Sequence, residues 1–533
     1  MQGFLQHPTA PTNPYLLGLL TDLQTPLPFK WDTSASLKVY FDDTGARAWT
    51  ETEKAAAFAA FGYWQKVANI SFEVTTIRAQ AEIIQTLNTS TENLGVADLP
   101  GGTPPSSIQY STAGTSFDTI NLGGDTFETL VHEIGHSIGL SHPHDGVVFP
   151  GVTAEQSSGD GGYNQQIWTV MSYVIGYNQE PTTTQQYGTS FTPMAFDIAA
   201  AQFLYGAKAS EADDTAYLLP LANQIGTGWS SIWDTGGIDT ISGAAATTAL
   251  TINLNEAPLT GANAGGFVSW VAGIKGGFTI ANGVVIENAI GGAGADTLIG
   301  NGANNVLTGG GGNDTIDAGG GIDTVRFSGN RADYAIVKAV DGTYTVTDNT
   351  VGRDGVDTIR NAEKFQFLDQ EFDAASVPPQ ASNGTRDSLY DISRFFNTAT
   401  GAHFYTANDA ERDTLIASGG AFAYEGNSFD SNATMATGIV VFRLFNTQTG
   451  VHFYTASAEE RASIAASLPQ FNDEGEAYYA YADGGTGRQA LHRFFNTANG
   501  THFFTASDAE QQRVVSTLPQ YRYEGIAYYV EIA

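Results

Sequence analysis

The period of the apolar positions changes repeatedly along the chain. From Ser36 to Phe41 (SLKVYF) apolar and polar residues alternate, the two-residue period of a half-buried strand. From about Glu51 to Val67, alanines and aromatics recur every three or four residues, which predicts a helix. Ile70 to Val74 (ISFEV) returns to strand character, so residues up to about 210 read as a mixed α/β unit. Past about Asp213 the chain becomes short apolar pairs separated by Gly, Asp and Asn, which suits β turns and not helices. Ser376 to Thr385 (SVPPQASNGT) reads as a linker. Three repeats follow, RFFNTATGAHFYTANDAER from Arg394, RLFNTQTGVHFYTASAEER from Arg443 and RFFNTANGTHFFTASDAEQ from Arg493, spaced 49 and 50 residues apart. Each continues with a helical run and closes on a Glu-Gly pair, at Glu425, Glu474 and Glu524. The order strand, turn, strand, helix, strand, taken three times, predicts a closed, pseudo-threefold β-rich module.

A length of 533 residues exceeds what one core organises. The expected fold is α+β, divided into an N-terminal extension (1–35), a mixed α/β domain (36–210), a Gly- and Asp-rich β domain (211–375) and the triple-repeat module (386–533). Hydrophobic residues at 42% suffice for packed cores. Asp and Glu number 56 against 23 Lys and Arg, a formal net charge of −33 that argues against nucleic acid or anionic membrane as a partner. The acidity is then either a solvated surface or a set of carboxylates committed to hard cations such as calcium. Cysteine is absent, which excludes disulfides and thiolate metal ligands. MQGFLQHPTAPTNPYLLGLL has neither a basic n-region nor an apolar core, so no signal peptide is expected, and no later stretch predicts a membrane span.

The densest chemistry lies in TLVHEIGHSIGLSHP, Thr129 to Pro143. On a helix His132 and His136 stand one turn apart and share a face. Glu133 sits beside the first ligand, placed to act on water rather than on metal. Gly139 lets the helix end and the chain turn, and His142 returns as a third nitrogen ligand. Three histidines leave a coordination position open, the mark of a catalytic rather than a structural zinc site. His144 reads as an exposed bystander, and nothing gives His7 a claim on the metal.

From Gly291 to Arg326 the chain divides into the nonapeptides GGAGADTLI, GNGANNVLT, GGGGNDTID and AGGGIDTVR. Six Gly-rich residues make a turn and three make a short strand with one core residue, in the ladder Leu298, Leu307, Ile316 and Val325. Two nonapeptides complete a circuit, so turns 18 residues apart stack, as do Asp296 over Asp314 and Asn305 over Asp323. Calcium is expected between stacked turns, with Gly291, Gly292, Gly294 and Asp296, Asn305, Gly309, Gly310, Gly312 and Asp314, and Gly319, Gly321 and Asp323 forming the sites. Asn305 in place of an acid and Ala318 in place of a glycine predict weaker binding on the second side.

HExxHxxGxxH resembles the metzincin signature, and WTVMSY (Trp168 to Tyr173) resembles its Met-turn. That resemblance implies Met171 beneath the zinc and Tyr173 as an oxyanion stabiliser and possible fourth ligand. TPMAFDIAAAQFLYGA (from Thr192) and NLGVADLPGG (Asn93 to Gly102) are similar to serralysin segments, the latter to the edge strand that pairs with substrate. Asp197 reads equally as a buried acid orienting the Met-turn or as a helix cap. The nonapeptides resemble repeats-in-toxin (RTX) rolls, which WDTGGIDTI (from Trp233) and DGVDTIRNAEKFQFLD (from Asp354) extend in similar proteins. A serralysin-type resemblance from about Ser36 to about Asp373 implies a secreted, extracellular zinc- and calcium-dependent endopeptidase acting on proteins and peptides, exported by a type I apparatus. The terminal repeats resemble an uncharacterised bacterial repeat. In them Arg394, His403, Glu411 and their counterparts are expected to satisfy one another, or else to frame a glycan- or surface-binding module. The alternative reading of the whole is a non-catalytic calcium-dependent adhesin.

Overall fold

The computed structural model describes every residue except 1, 22–26, 91–93, 114–119, 176–185, 340, 378–390, 419, 431–437, 486 and 532–533. It divides into two compact units, one of residues 1–337 with 343–378 and one of residues 338–342 with 379–533. The expected linker from Ser376 to Thr385 lies, from residue 378 onward, outside the described residues.

In the first unit β1 (Phe4–Gln6) pairs with β2 (Phe29–Trp31), and α1 (Pro14–Leu20) starts where the Asn13 side chain accepts from the Tyr15 and Leu16 amides. β3 (Leu37–Asp42) leads to α2 (Glu51–Val67), whose N-terminus is fixed by reciprocal bonds between Thr50 and Glu53. β4 (Phe72–Val74), β5 (Ile83–Asn88), β6 (Gly95–Ala97) and β7 (Ser106–Ser111) complete a sheet in the order β4-β3-β5-β7-β6. All pairs are parallel except β6 with β7, so β6 is an antiparallel edge strand. α3 (Asp125–Ser137) and α4 (Ala195–Tyr205) follow. Alternation buries Leu37, Val39, Ile83, Leu87 and Ile108 of the sheet with Ala57, Phe61 and Trp64 of α2 and Leu130, Val131 and Ile134 of α3. Trp64 Nε1 donates to Val131 O (3.0 Å) and Trp31 Nε1 to Ser137 O (2.8 Å), so two buried indoles clamp α3. Tyr15, Leu16, Leu19, Leu20 and Trp31 belong to the same core, with Phe4 packed against it.

The later part of this unit is the roll. Thr297–Ile299 pairs in parallel with Thr315–Asp317, and Val306–Thr308 with Thr324–Arg326, each 18 residues on. The central Leu298, Leu307, Ile316 and Val325 are buried. The roll outruns the four nonapeptides. Thr240–Ser242 and Asn288–Ile290 precede them on one face, Leu250–Asn253 on the other, and Val356–Arg360 and Lys364–Gln366 follow.

In the second unit each repeat forms the expected strand, strand, helix, strand: Asp391–Asn397, Ala402–Thr406, Asp409–Ser418 and Phe422–Asp430 in the first. Tyr405, Tyr454 and Phe504 meet in a shared core. Tyr405 OH donates to Phe504 O (2.8 Å), and Tyr454 OH donates to Tyr405 O (2.6 Å) while accepting from its amide (3.0 Å). Arg394, Arg443 and Arg493 each pair with the closing Glu of their own repeat (Glu425, Glu474, Glu524) and with the helix Glu of the repeat before it (Glu510, Glu411, Glu460). The polar repeat residues therefore satisfy one another around a closed ring. Tyr454→Phe leaves two buried backbone groups of Tyr405 unpaired and is expected to cost about 1–3 kcal/mol. Faster hydrogen exchange of the amides of Ala402–Thr406 in the full chain is the measurement.

Candidate metal centre and substrate cleft

α3 carries Asp125 and Glu128 in its first turn, where the helix dipole favours acids, and both metal-facing histidines further on. It stops at Ser137, and Gly139 takes φ +117°, where a Cβ would also crowd Phe29 O. The reversal brings His142 back over the helix. Each imidazole spends its Nδ1 proton on a fixed acceptor: His132 on Val170 O (2.8 Å), His136 on Leu140 O (2.7 Å) and His142 on Asp145 Oδ2 (2.6 Å). The Nε2 atoms are then unprotonated and converge, His142 Nε2 lying 3.1 Å from that of His132 and 2.9 Å from that of His136. Burial and the neighbouring imidazoles push His132 and His136 down to about 3 and His142 to about 4, so all three stay neutral. Three mutually facing lone pairs fit a cation. The two separations at His142 are a little under the ~3.4 Å between donors at ~2.1 Å from a tetrahedral zinc.

The Met-turn is held from two sides. Buried Met171 packs on α3 so closely that a Cβ at Gly135 would fall 2.6 Å from its Sδ. Asp197, fully buried, accepts from Thr169 Oγ1 (2.6 Å), the Val170 amide (2.6 Å) and the Met194 amide (2.8 Å). It therefore orients the Met-turn and caps α4 at once. Burial raises it to about 7 against these donors.

Glu133 is buried, and its Oε2 has no hydrogen-bond partner. Burial pushes its carboxyl to about 8. The edge strand passes directly over it: a Cβ at Gly95 would lie 2.5 Å from Glu133 Oε1. Tyr173 is 41% exposed at the cleft mouth, its ring 4.6 Å from that of His142. Burial and nearby carboxylates push its hydroxyl to about 12, so it keeps its proton. His144 departs from the expected exposed bystander: it is half-buried, and its ring stacks on His142 at 4.8 Å and packs on Tyr173 at 4.7 Å. His7 bonds Thr9 O, away from the cluster. Sequence reasoning passed over Gly95, Asp125 and Glu128; only the glycine ahead of an apolar edge strand and the acids opening α3 hinted at them. Asn93, where the edge segment was expected to begin, lies outside the described residues.

In the roll the expected positions stack. Asp296 N donates to Asp314 Oδ1 (2.8 Å) and Asp314 N to Asp357 Oδ1 (2.9 Å). On the other face Asn305 N donates to Asp323 Oδ1 (2.7 Å) and Asp323 N to Glu363 Oε2 (2.8 Å). Asp357 and Glu363 therefore extend both ladders, and the recurring Asp-Thr-Ile of residues 357–359 was the available signal for the first. The glycine turns lie close together, with no space for a Cβ at Gly291 or Gly309 or, at φ +96°, Gly310. Gly292, Gly294, Gly312, Gly319 and Gly321 pack against backbone or side chains in the same way. Asp314 Oδ2 and Asp323 Oδ2 are buried without partners, which suits a hard cation. Asn305 instead donates its amide to Glu287 O (3.0 Å) and Asn301 Oδ1 (3.1 Å), a use of that side chain that needs no ion.

Burial first, and neighbouring carboxylates second, raise Asp314 to about 7 and Asp357 to about 8. Both folded values exceed the ordinary ~4 of an unfolded aspartate, so the calcium-free fold binds more protons than the unfolded chain. In chelator, Tm is expected to fall as pH rises from about 5 to about 8. Saturating calcium is expected to raise Tm and flatten that slope, as read by circular dichroism.

A family model for metallo-peptidase family M12B, reprolysin-like, matches residues 64–199, and one for the peptidase M10 serralysin C terminal matches 228–377. Residues 391–531 match a domain of unknown function (DUF5648). Among curated relatives, serralysin of Photorhabdus luminescens is 36% identical over 272 residues, covering 47% of this chain and 53% of the relative. Serralysin B of Dickeya chrysanthemi is 32% identical over 278 residues, covering 48% and 54%. The chain thus spans about half the length of the curated relatives it matches. Over the stretch that carries the histidine cluster and the roll, this chain is similar to metalloproteases of serralysin type.

Proposed function

We propose that the protein is a zinc endopeptidase that cuts extended peptide segments outside the cell, with calcium stabilising its roll. The observation that carries this reading is the convergence of three neutral Nε2 atoms beside a buried, unpartnered Glu133 under an edge strand. His132, His136 and His142 would hold zinc, which supplies Lewis acidity toward the scissile carbonyl and the attacking water. Glu133 takes the proton of that water and delivers it to the leaving amine; burial lifts its basicity into the useful range. Tyr173 keeps its proton and donates toward the developing oxyanion. The free edge of β6 offers backbone groups to an extended substrate.

The proposed division assigns catalysis to residues 36–210, calcium to 211–375 and, to 386–533, recognition of a glycan or cell-surface ligand, with residues 1–35 as an extension. Export by a type I apparatus suits this reading. No helix among the described residues is long and apolar enough to cross a membrane. The complete set of Glu133, three histidines and Met171 disfavours a non-catalytic adhesin. A casein or gelatin zymogram is the test. Glu133→Ala is expected to lower clearing by at least about 100-fold. Equal clearing by parent and variant, or none by either, overturns the assignment.

A further inference from the structure

Beside Glu133 the cleft deepens into a cavity of about 300 Å³, near the lower limit for small-molecule sites and so suited to one long side chain. Its lining includes Asp125, Glu128, Gln166 and Thr189. Three acceptors on these residues lack donors among the described residues. Glu128 is 9% exposed and is met by Gln166 Nε2 (3.1 Å); its nearest imidazole nitrogen, His132 Nδ1 at 3.8 Å, already donates to Val170 O. Because Gln166 commits its amide nitrogen to Glu128, its Oε1 is left facing elsewhere, and that atom has no partner although the residue is 5% exposed. Thr189 Oγ1 and Asp125 Oδ1 are also buried without partners, Thr189 being 1% exposed. No Lys or Arg lines the cavity among the described residues.

An apolar side chain entering this space would leave the acceptors dry, and an acidic one would add a fourth carboxyl group to Asp125, Glu128 and Glu133. A guanidinium or ammonium group brings several N–H donors and the missing positive charge together. Resting on the endopeptidase reading, we propose that this cavity selects arginine or lysine at the residue immediately following the scissile bond. The position follows from Glu133, which lines the same cavity and serves the leaving amine. The residue that owns that amine stands at the cavity mouth.

The full chain, loaded with zinc and calcium, is incubated with a proteome-derived peptide library, and the new amino termini are identified by mass spectrometry. Arginine and lysine are expected to be enriched at the first position of these termini, and Asp and Glu depleted. For matched peptides with Arg or Leu at that position, Glu128→Gln is expected to lower the Arg-to-Leu ratio of kcat/KM by about tenfold or more. Asp125→Asn, at a less buried site, is expected to lower the same ratio and serves if Glu128→Gln fails to fold. A library that is cut without basic enrichment, or a ratio that survives in a folded variant, overturns this inference and leaves the endopeptidase intact. A folded, metal-loaded chain that cuts nothing overturns both.

Discussion

The Nε2 of His142 faces those of His132 and His136 across about 3 Å with no proton between them, and much of the first unit is arranged to keep them so. Each ring is turned by a bond to its far nitrogen, and two of the three acceptors are main-chain carbonyls. Position is therefore controlled by backbone. Val170 O is held because Asp197 takes the Val170 amide, and Leu140 O because Gly139 permits the reversal after α3. Trp31 and Trp64 fix α3 itself. Undoing any of these moves a carbonyl, and moving a carbonyl turns a ligand.

The roll meets the same difficulty with oxygen in place of nitrogen. Carboxylates are stacked 18 residues apart, their first oxygens spent on amides and some second oxygens left bare. Burying acids this way is unfavourable unless a cation arrives, so the acidic excess of the chain is in part a stored demand for calcium. The second unit answers its charges internally, each repeat arginine lying between two glutamates.

What the sequence revealed and what it concealed divide along a physical line. The helix from Glu51 to Val67 and the spacing of His132, His136 and His142 were legible because period, cap and turn are encoded within a few residues. The 18-residue register was legible because the roll repeats it. Long-range approach was not. Gly95 over Glu133, and Gln166 against Glu128 from 38 residues away, leave no local trace. Nor does any periodicity announce the burial of Leu19 and Trp31. His144 looked exposed because nothing in its neighbours announces a stacking partner.

One helix joins the two halves of the cleft's chemistry. The acids that suit the N-terminus of α3 electrostatically are the ones that line the cavity, while its later turns carry Glu133 and two metal-facing histidines. A Glu at position 128 thus serves the helix dipole and the cavity at once. Its retention in a dry wall, with a glutamine amide but no cation for company, is poorly explained by helix stability alone, because a dipole contribution of ~0.3–1 kcal/mol is small beside the penalty for burying a carboxyl group that has no positive partner. The balance closes when a positive charge enters from the cleft, which makes selection of substrate a consequence of how the metal-bearing helix begins.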